Sequence, residues 1–69
     1  MIKEYDIVCA LRDINDKVLK GRKGTVLIIH QNLPAVYEIE FIDENFDTLD
    51  VLTVKGEDVA LIPHGLTGI

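Results

Sequence analysis

An all-β fold is predicted for this chain: a small five-stranded SH3-like barrel, partly open, with a long loop after the first strand and a 3-10 turn before the last. Three observations carry that expectation. Tyr37-Glu38-Ile39-Glu40-Phe41 alternates apolar and charged residues with period two, the pattern of a half-buried strand. Four other runs, near residues 5–11, 25–31, 48–54 and 59–62, are rich in strand formers and separated by Gly, Pro, Asn and Asp clusters. The turn from Asp43 to Asp47 is too short for the helix that the rival five-stranded OB barrel carries between its third and fourth strands.

Taken in order, Tyr5-Asp6-Ile7-Val8-Cys9-Ala10-Leu11 suits a strand of about six residues. From Arg12 to Lys20 the pattern breaks, because Asp13, Asn15 and Asp16 favour turns through side-chain bonds to nearby backbone. A long loop over one barrel mouth is expected there, with Ile14, Val18 or Leu19 tucked in; a short helix from Ile14 to Leu19 is the alternative. Gly21 and Gly24 bracket Arg22-Lys23 and predict a sharp turn, since glycine takes positive φ without steric cost. Thr25 to Gln31 follows as a strand, and Asn32-Leu33-Pro34 loops it back into Val36 to Ile42. On that return strand Tyr37, Ile39 and Phe41 face the core while Glu38 and Glu40 face water.

Asp43-Glu44-Asn45-Phe46-Asp47 turns the chain into Thr48 to Val54. Leu52 and Val54 are the favoured inward pair, with Asp50 in water near the hairpin tip; Leu49 and Val51 are the other choice. Lys55 to Asp58 reads as one 3-10 turn before the closing strand Val59 to Ile62, and Pro63-His64-Gly65 ends it. Leu66 to Ile69 is expected to be a mobile tail.

The length of 69 residues leaves room for one domain, residues 1–69, with its core at 4–62 and a tail at 63–69. An apolar content of 48% contains no stretch able to form a membrane helix, and Met1 to Asp6 carries two acids where a secretory signal needs basic residues. A cytoplasmic protein is expected. The single cysteine, Cys9, lies in an apolar run and is expected in the core; no internal disulfide is open to it. Cys9, His30 and His64 lack the clustered spacing of a transition-metal site, and His30 is expected to be exposed or at an edge. Asp43-x-Asn45-x-Asp47 resembles a calcium loop, but Thr48 stands where that loop needs glycine and Val54 where it needs glutamate. With no serine and no Gly-rich phosphate loop, no enzyme, catalytic residue, metal or cofactor is expected.

The surface chemistry lies in charge. Lys17, Lys20, Arg22 and Lys23 place four of the seven basic residues in one seven-residue window, leaving three basic and twelve acidic residues elsewhere, a balance of −9. That basic loop could contact phosphate or simply be solvated. Glu38, Glu40, Asp43, Glu44, Asp47 and Asp50 make one hairpin acidic, and Phe46 sits among them as an exposed aromatic, the form an interface anchor takes.

Two resemblances follow. Gly21-x-x-Gly24-Thr25-Val26 entering an apolar strand resembles the opening of a KOW element, an SH3-like module of ribosomal proteins and elongation factors. More of the chain resembles short bacterial proteins, frequent in cyanobacteria, of domain-of-unknown-function family 4926. That likeness rests on Asp6-x-Val8, Val18-x-x-Gly21-x-x-Gly24-Thr25-Val26, Tyr37-Glu38-Ile39-Glu40-Phe41, Asp43, Thr48, Thr53-Val54 and Asp58-Val59. It implies an SH3-like fold, no known catalytic residues, and relatives encoded beside bacterial toxins, hence an immunity or antitoxin role for some. The sequence departs from the pattern at Phe46, where the turn usually carries glycine. Either Asn45 takes the left-handed conformation instead or the turn widens, and Phe46 is then exposed.

The expected function is therefore a non-catalytic protein-binding module. Its contacts would be Glu38, Glu40, Asp43, Glu44, Phe46 and Asp47, toward another protein such as a basic toxin. The alternatives are a KOW-like RNA or ribosome contact through Lys17, Lys20, Arg22 and Lys23, and a structural homo-oligomer using Leu33, Pro34, Leu66 and Ile69. No membrane partner is expected.

Overall fold

A computed structural model describes residues 1–63. Five antiparallel strands form one sheet that does not close: β1 (Ile7–Ala10), β2 (Lys23–Asn32), β3 (Ala35–Ile42), β4 (Thr48–Lys55) and β5 (Val59–Leu61), in the order β4-β3-β2-β1-β5. A single 3-10 turn, Gly56–Asp58, joins β4 to β5 as expected. The expected tail behaviour, and the exposure expected of Leu66 and Ile69, fall outside the described residues. Among those residues no helix is long and apolar enough to cross a membrane.

The core is one cluster of Val8, Ala10, Val18, Val26, Tyr37, Ile39, Phe41, Val54 and Val59. Tyr37, Ile39 and Phe41 sit opposite Val54, Leu52 and Asp50 in the register of β3 with β4, so Leu52 and Val54 do face inward. Asp50 shares that face but is not in open water: it is half-buried, and Asn15 Nδ2 donates to its Oδ2 at 3.2 Å. Leu49 reaches the core as well, because a bulge inserts it between the Ile42–Thr48 and Phe41–Asp50 pairs and turns it inward.

Two similar irregularities explain β2. Its run Val26-Leu27-Ile28-Ile29 has no period of two, yet the strand keeps one inward face. The register with β3 slips between Val26 and Ile28 and again between Ile29 and Gln31, so Val26 meets Ile39 while Ile29 meets Tyr37. The bulges bend β2, whose first residues, Lys23 to Thr25, pair with β1 while the stretch from Gly24 to Asn32 pairs with β3.

The glycines divide their roles differently from the expectation of a turn bracketed by both. Gly21 alone has positive φ, +93°, with open space around it. Gly24 lies within β2, where a Cβ would come 2.6 Å from Ile39 Cγ2, 2.9 Å from Phe41 Cδ1 and 3.0 Å from the Glu40 carbonyl oxygen. Only a residue without a side chain lets β2 lie that close to the ring of Phe41.

Two further expectations are corrected, and a third, the loop anchored by Ile14, Val18 or Leu19, is borne out and narrowed. The first strand is shorter than residues 5–11, because Tyr5 adopts φ 70° and Asp6 Oδ2 accepts the Lys3 N–H at 2.8 Å, folding residues 3–6 into a hook. Cys9 points away from the core: Val8 and Ala10 take the inward positions of β1, and Cys9 is half-buried on the outer face. In the long loop, Val18 is the buried anchor with Ile14 packed beside it, whereas Leu19 is 46% exposed. The loop is irregular throughout, as preferred over the helix, and Asn15 Oδ1 accepts the N–H groups of Lys17 and Val18 at 2.9 and 2.8 Å.

Candidate functional site

The β3–β4 turn is built by one side chain. Asp43 Oδ1 accepts the N–H groups of Asn45 (2.8 Å) and Asp47 (3.0 Å), and its carbonyl oxygen accepts that of Phe46 at 3.0 Å. The Asp43 N–H in turn donates to the Asp47 carbonyl at 3.0 Å. These bonds draw the chain back so tightly that one residue must be left-handed. It is Phe46 itself, at φ 66°, and neither Asn45 nor a widened turn accommodates the missing glycine. The ring stands 81% exposed. A bulky residue at positive φ is uncommon and stores backbone strain.

The basic loop and the acidic hairpin do not lie at separate ends of the molecule. Arg22 Nη1 donates to Glu44 Oε1 at 2.9 Å, and a cleft runs between Gly21, Arg22 and Lys23 on one side and Ile42, Glu44 and Phe46 on the other. The Glu44 backbone N–H, and then the Arg22 guanidinium, hold the Glu44 carboxyl below the usual carboxylate range. Among the described residues Lys17, Lys20 and Lys23 are exposed and make no ion pair.

The acids expected to form one patch are divided by their partners. Glu38 lies on the outer face of β3, where the Thr53 hydroxyl donates to Oε1 at 2.7 Å and His30 Nε2 approaches the same oxygen at 3.1 Å. The Thr53 bond, followed by the His30 contact, lowers the Glu38 pKa. His30 is exposed, as expected. Glu40 accepts the Thr48 hydroxyl. Asp43 is spent inside the turn, which leaves Glu44, Phe46 and Asp47 as the groups presented outward.

Asp43, first in the Asp-x-Asn-x-Asp spacing, has one oxygen already committed to two backbone donors and is a poor cation ligand in this conformation. Among the described residues no three metal-binding side chains converge. The turn can instead offer an apolar ring ringed by charge of both signs. Sequence reasoning missed a second such feature, Tyr5, left-handed and 73% exposed, with its N–H on the Val26 carbonyl. Nothing in Glu4-Tyr5-Asp6 signals a positive φ; only the Asp6 side chain, a common turn former, could have hinted at the hook.

A single open antiparallel sheet of five strands, stapled by loops and presenting charged and aromatic side chains at its turns, defines the class: a small all-β domain. The chain belongs to the family described as Domain of unknown function (DUF4926), whose model matches residues 4–61. No curated protein and no solved structure gives a significant match.

Proposed function

We propose that this domain is a non-catalytic protein-binding module whose β3–β4 turn inserts Phe46 into a partner, with Glu44 and Asp47 flanking the contact. The observation that carries the reading is the turn: a bulky aromatic is held at positive φ and 81% exposed, where glycine would relieve the strain. Strained residues that persist in this way cluster at ligand clamps and binding sites. A central aromatic with a charged rim is the composition of an interface anchor.

The partner is a basic protein of the bacterial cytoplasm. A net charge of −5 raises the encounter rate with such a surface, and the resemblance to relatives encoded beside toxins makes a toxin the most specific candidate, with this domain as its immunity or antitoxin partner. Phe46→Gly and Asp47→Lys are expected to weaken capture of the partner while the fold survives. Asp43 is unsuitable for that test because its substitution would dismantle the turn. Unchanged affinity in both variants would remove the turn from the interface.

A second reading, RNA binding through the loop in the manner of a KOW element, is favoured by the three exposed lysines, Lys17, Lys20 and Lys23, although Arg22 is drawn to Glu44. It requires affinity that falls with salt at a log–log slope of about −2 and vanishes in Lys20→Glu/Lys23→Glu.

A further inference from the structure

The outward positions of the sheet form cross-strand rows. Ile7 lies opposite Thr25, Thr25 opposite Glu40, and Glu40 opposite Val51, while the Ile62 N–H bonds to the Ile7 carbonyl at 2.9 Å. Beside this row, Cys9 lies opposite both Ala60 and Lys23. Ile42 follows Phe41, the partner of Gly24, and so flanks Lys23. Ile7, Cys9, Thr25, Ile42, Ala60 and Ile62 are each half-buried although they point away from the core at Val8, Val26, Ile39 and Phe41. Glu38 lies next along β3, and Lys3 and Asp6 border Ile7 and Ile62, while among the central apolar positions stand one cation, Lys23, and one anion, Glu40.

Those two charges are arranged for self-recognition. Lys23 is exposed and makes no ion pair among the described residues, and the Glu40 carboxylate is bound by the Thr48 hydroxyl and by no cation. They are diagonal neighbours on one face, with Thr25 and Ile42 on the opposite diagonal. A two-fold axis lying in the interface, across the line from Lys23 to Glu40, places each Lys23 over Glu40 of the other copy. Thr25 and Ile42 then fall near the axis and meet their own copies, as an isologous contact demands. Cys9, one strand away from Lys23, is covered.

We propose that this outer face docks a second copy of the chain, through reciprocal Lys23–Glu40 pairs around Thr25 and Ile42 at the centre, with Ile7 beside them. Sedimentation velocity over a concentration series tests it. Wild type is expected to shift from monomer to dimer; Lys23→Glu or Glu40→Lys alone weakens the dimer at least about tenfold by setting like charges opposite each other. Lys23→Glu/Glu40→Lys restores association to near the wild-type level. A measurement free of variants runs in parallel: alkylation of Cys9 slows as wild-type concentration rises. A monomer at every concentration overturns the proposal. So does a double exchange that stays dissociated, or a Cys9 rate independent of concentration.

Discussion

Phe46 occupies a conformation in which glycine is at home, and its ring does nothing for the core. A left-handed non-glycine residue costs about 1–2 kcal/mol, partly offset by the extra freedom glycine has when unfolded. Phe46→Gly is therefore expected to stabilise the domain by about 0.5–1 kcal/mol, read as a rise in Tm of several degrees in a thermal scan. Phe46→Ala keeps the strain and is expected to leave Tm unraised. Gly24 behaves in the opposite way. Its Cβ would strike two fully buried side chains and a backbone carbonyl, so Gly24→Ala should cost about 1–3 kcal/mol in urea denaturation. The exposure of Phe46 was legible from the charges around it. Its φ was not, because the conformation is imposed by the Asp43 side chain rather than by anything in phenylalanine.

Among the elements, β3 is the one most plainly written, since every second residue is apolar and the strand has neighbours on both sides. β2 and β4 were harder to read because bulges at Leu27, His30 and Leu49 break the parity from which an inward face is deduced. Cys9 was misplaced for a related reason: in the run Ile7-Val8-Cys9-Ala10 both faces are apolar, so composition cannot tell them apart. The long loop shows the same division. Asn15 and Asp13 were recognisable as turn formers, and their side chains do hold backbone N–H groups, but which apolar residue is buried depends on the sheet beneath. Val18→Ala should cost about 2 kcal/mol, while Leu19→Ala stays within about 0.5 kcal/mol of wild type.

That loop is also tied to the 3-10 turn. Arg12 grips Asp58 with two bonds, Nε to Oδ1 and Nη2 to Oδ2, both 2.9 Å. The Arg12 bond holds the Asp58 carboxyl below the usual carboxylate range, so the folded state binds its proton less readily than the unfolded chain does. The pair's contribution is present above the unfolded carboxylate pKa, about 3.9, and is lost as pH falls through the lowered folded value. Denaturation of Arg12→Ala and wild type across pH should show a gap near neutrality that closes in acid. A gap independent of pH would mean that Arg12 acts through packing alone.

At the scale of the whole molecule, charge segregation along the chain does not survive folding as two opposed poles. The Arg22–Glu44 bond joins the basic loop to the acidic turn, and Thr48, Thr53 and His30 engage the glutamates of β3. What is left exposed is an aromatic between charges of both signs, on a sheet whose outer face carries several half-buried apolar residues. Sequence separates Arg22 from Glu44 by 22 residues, and only the meeting of β1, β2 and β3 brings them together. The most direct measurement pairs thermal unfolding with calorimetric titration of the basic protein retained by the immobilised domain, for wild type and Phe46→Gly. The expected result is a higher Tm together with affinity weakened by about 30-fold, the size of an interface anchor's contribution. Equal affinity in the two proteins would contradict the assignment of this turn as the binding site.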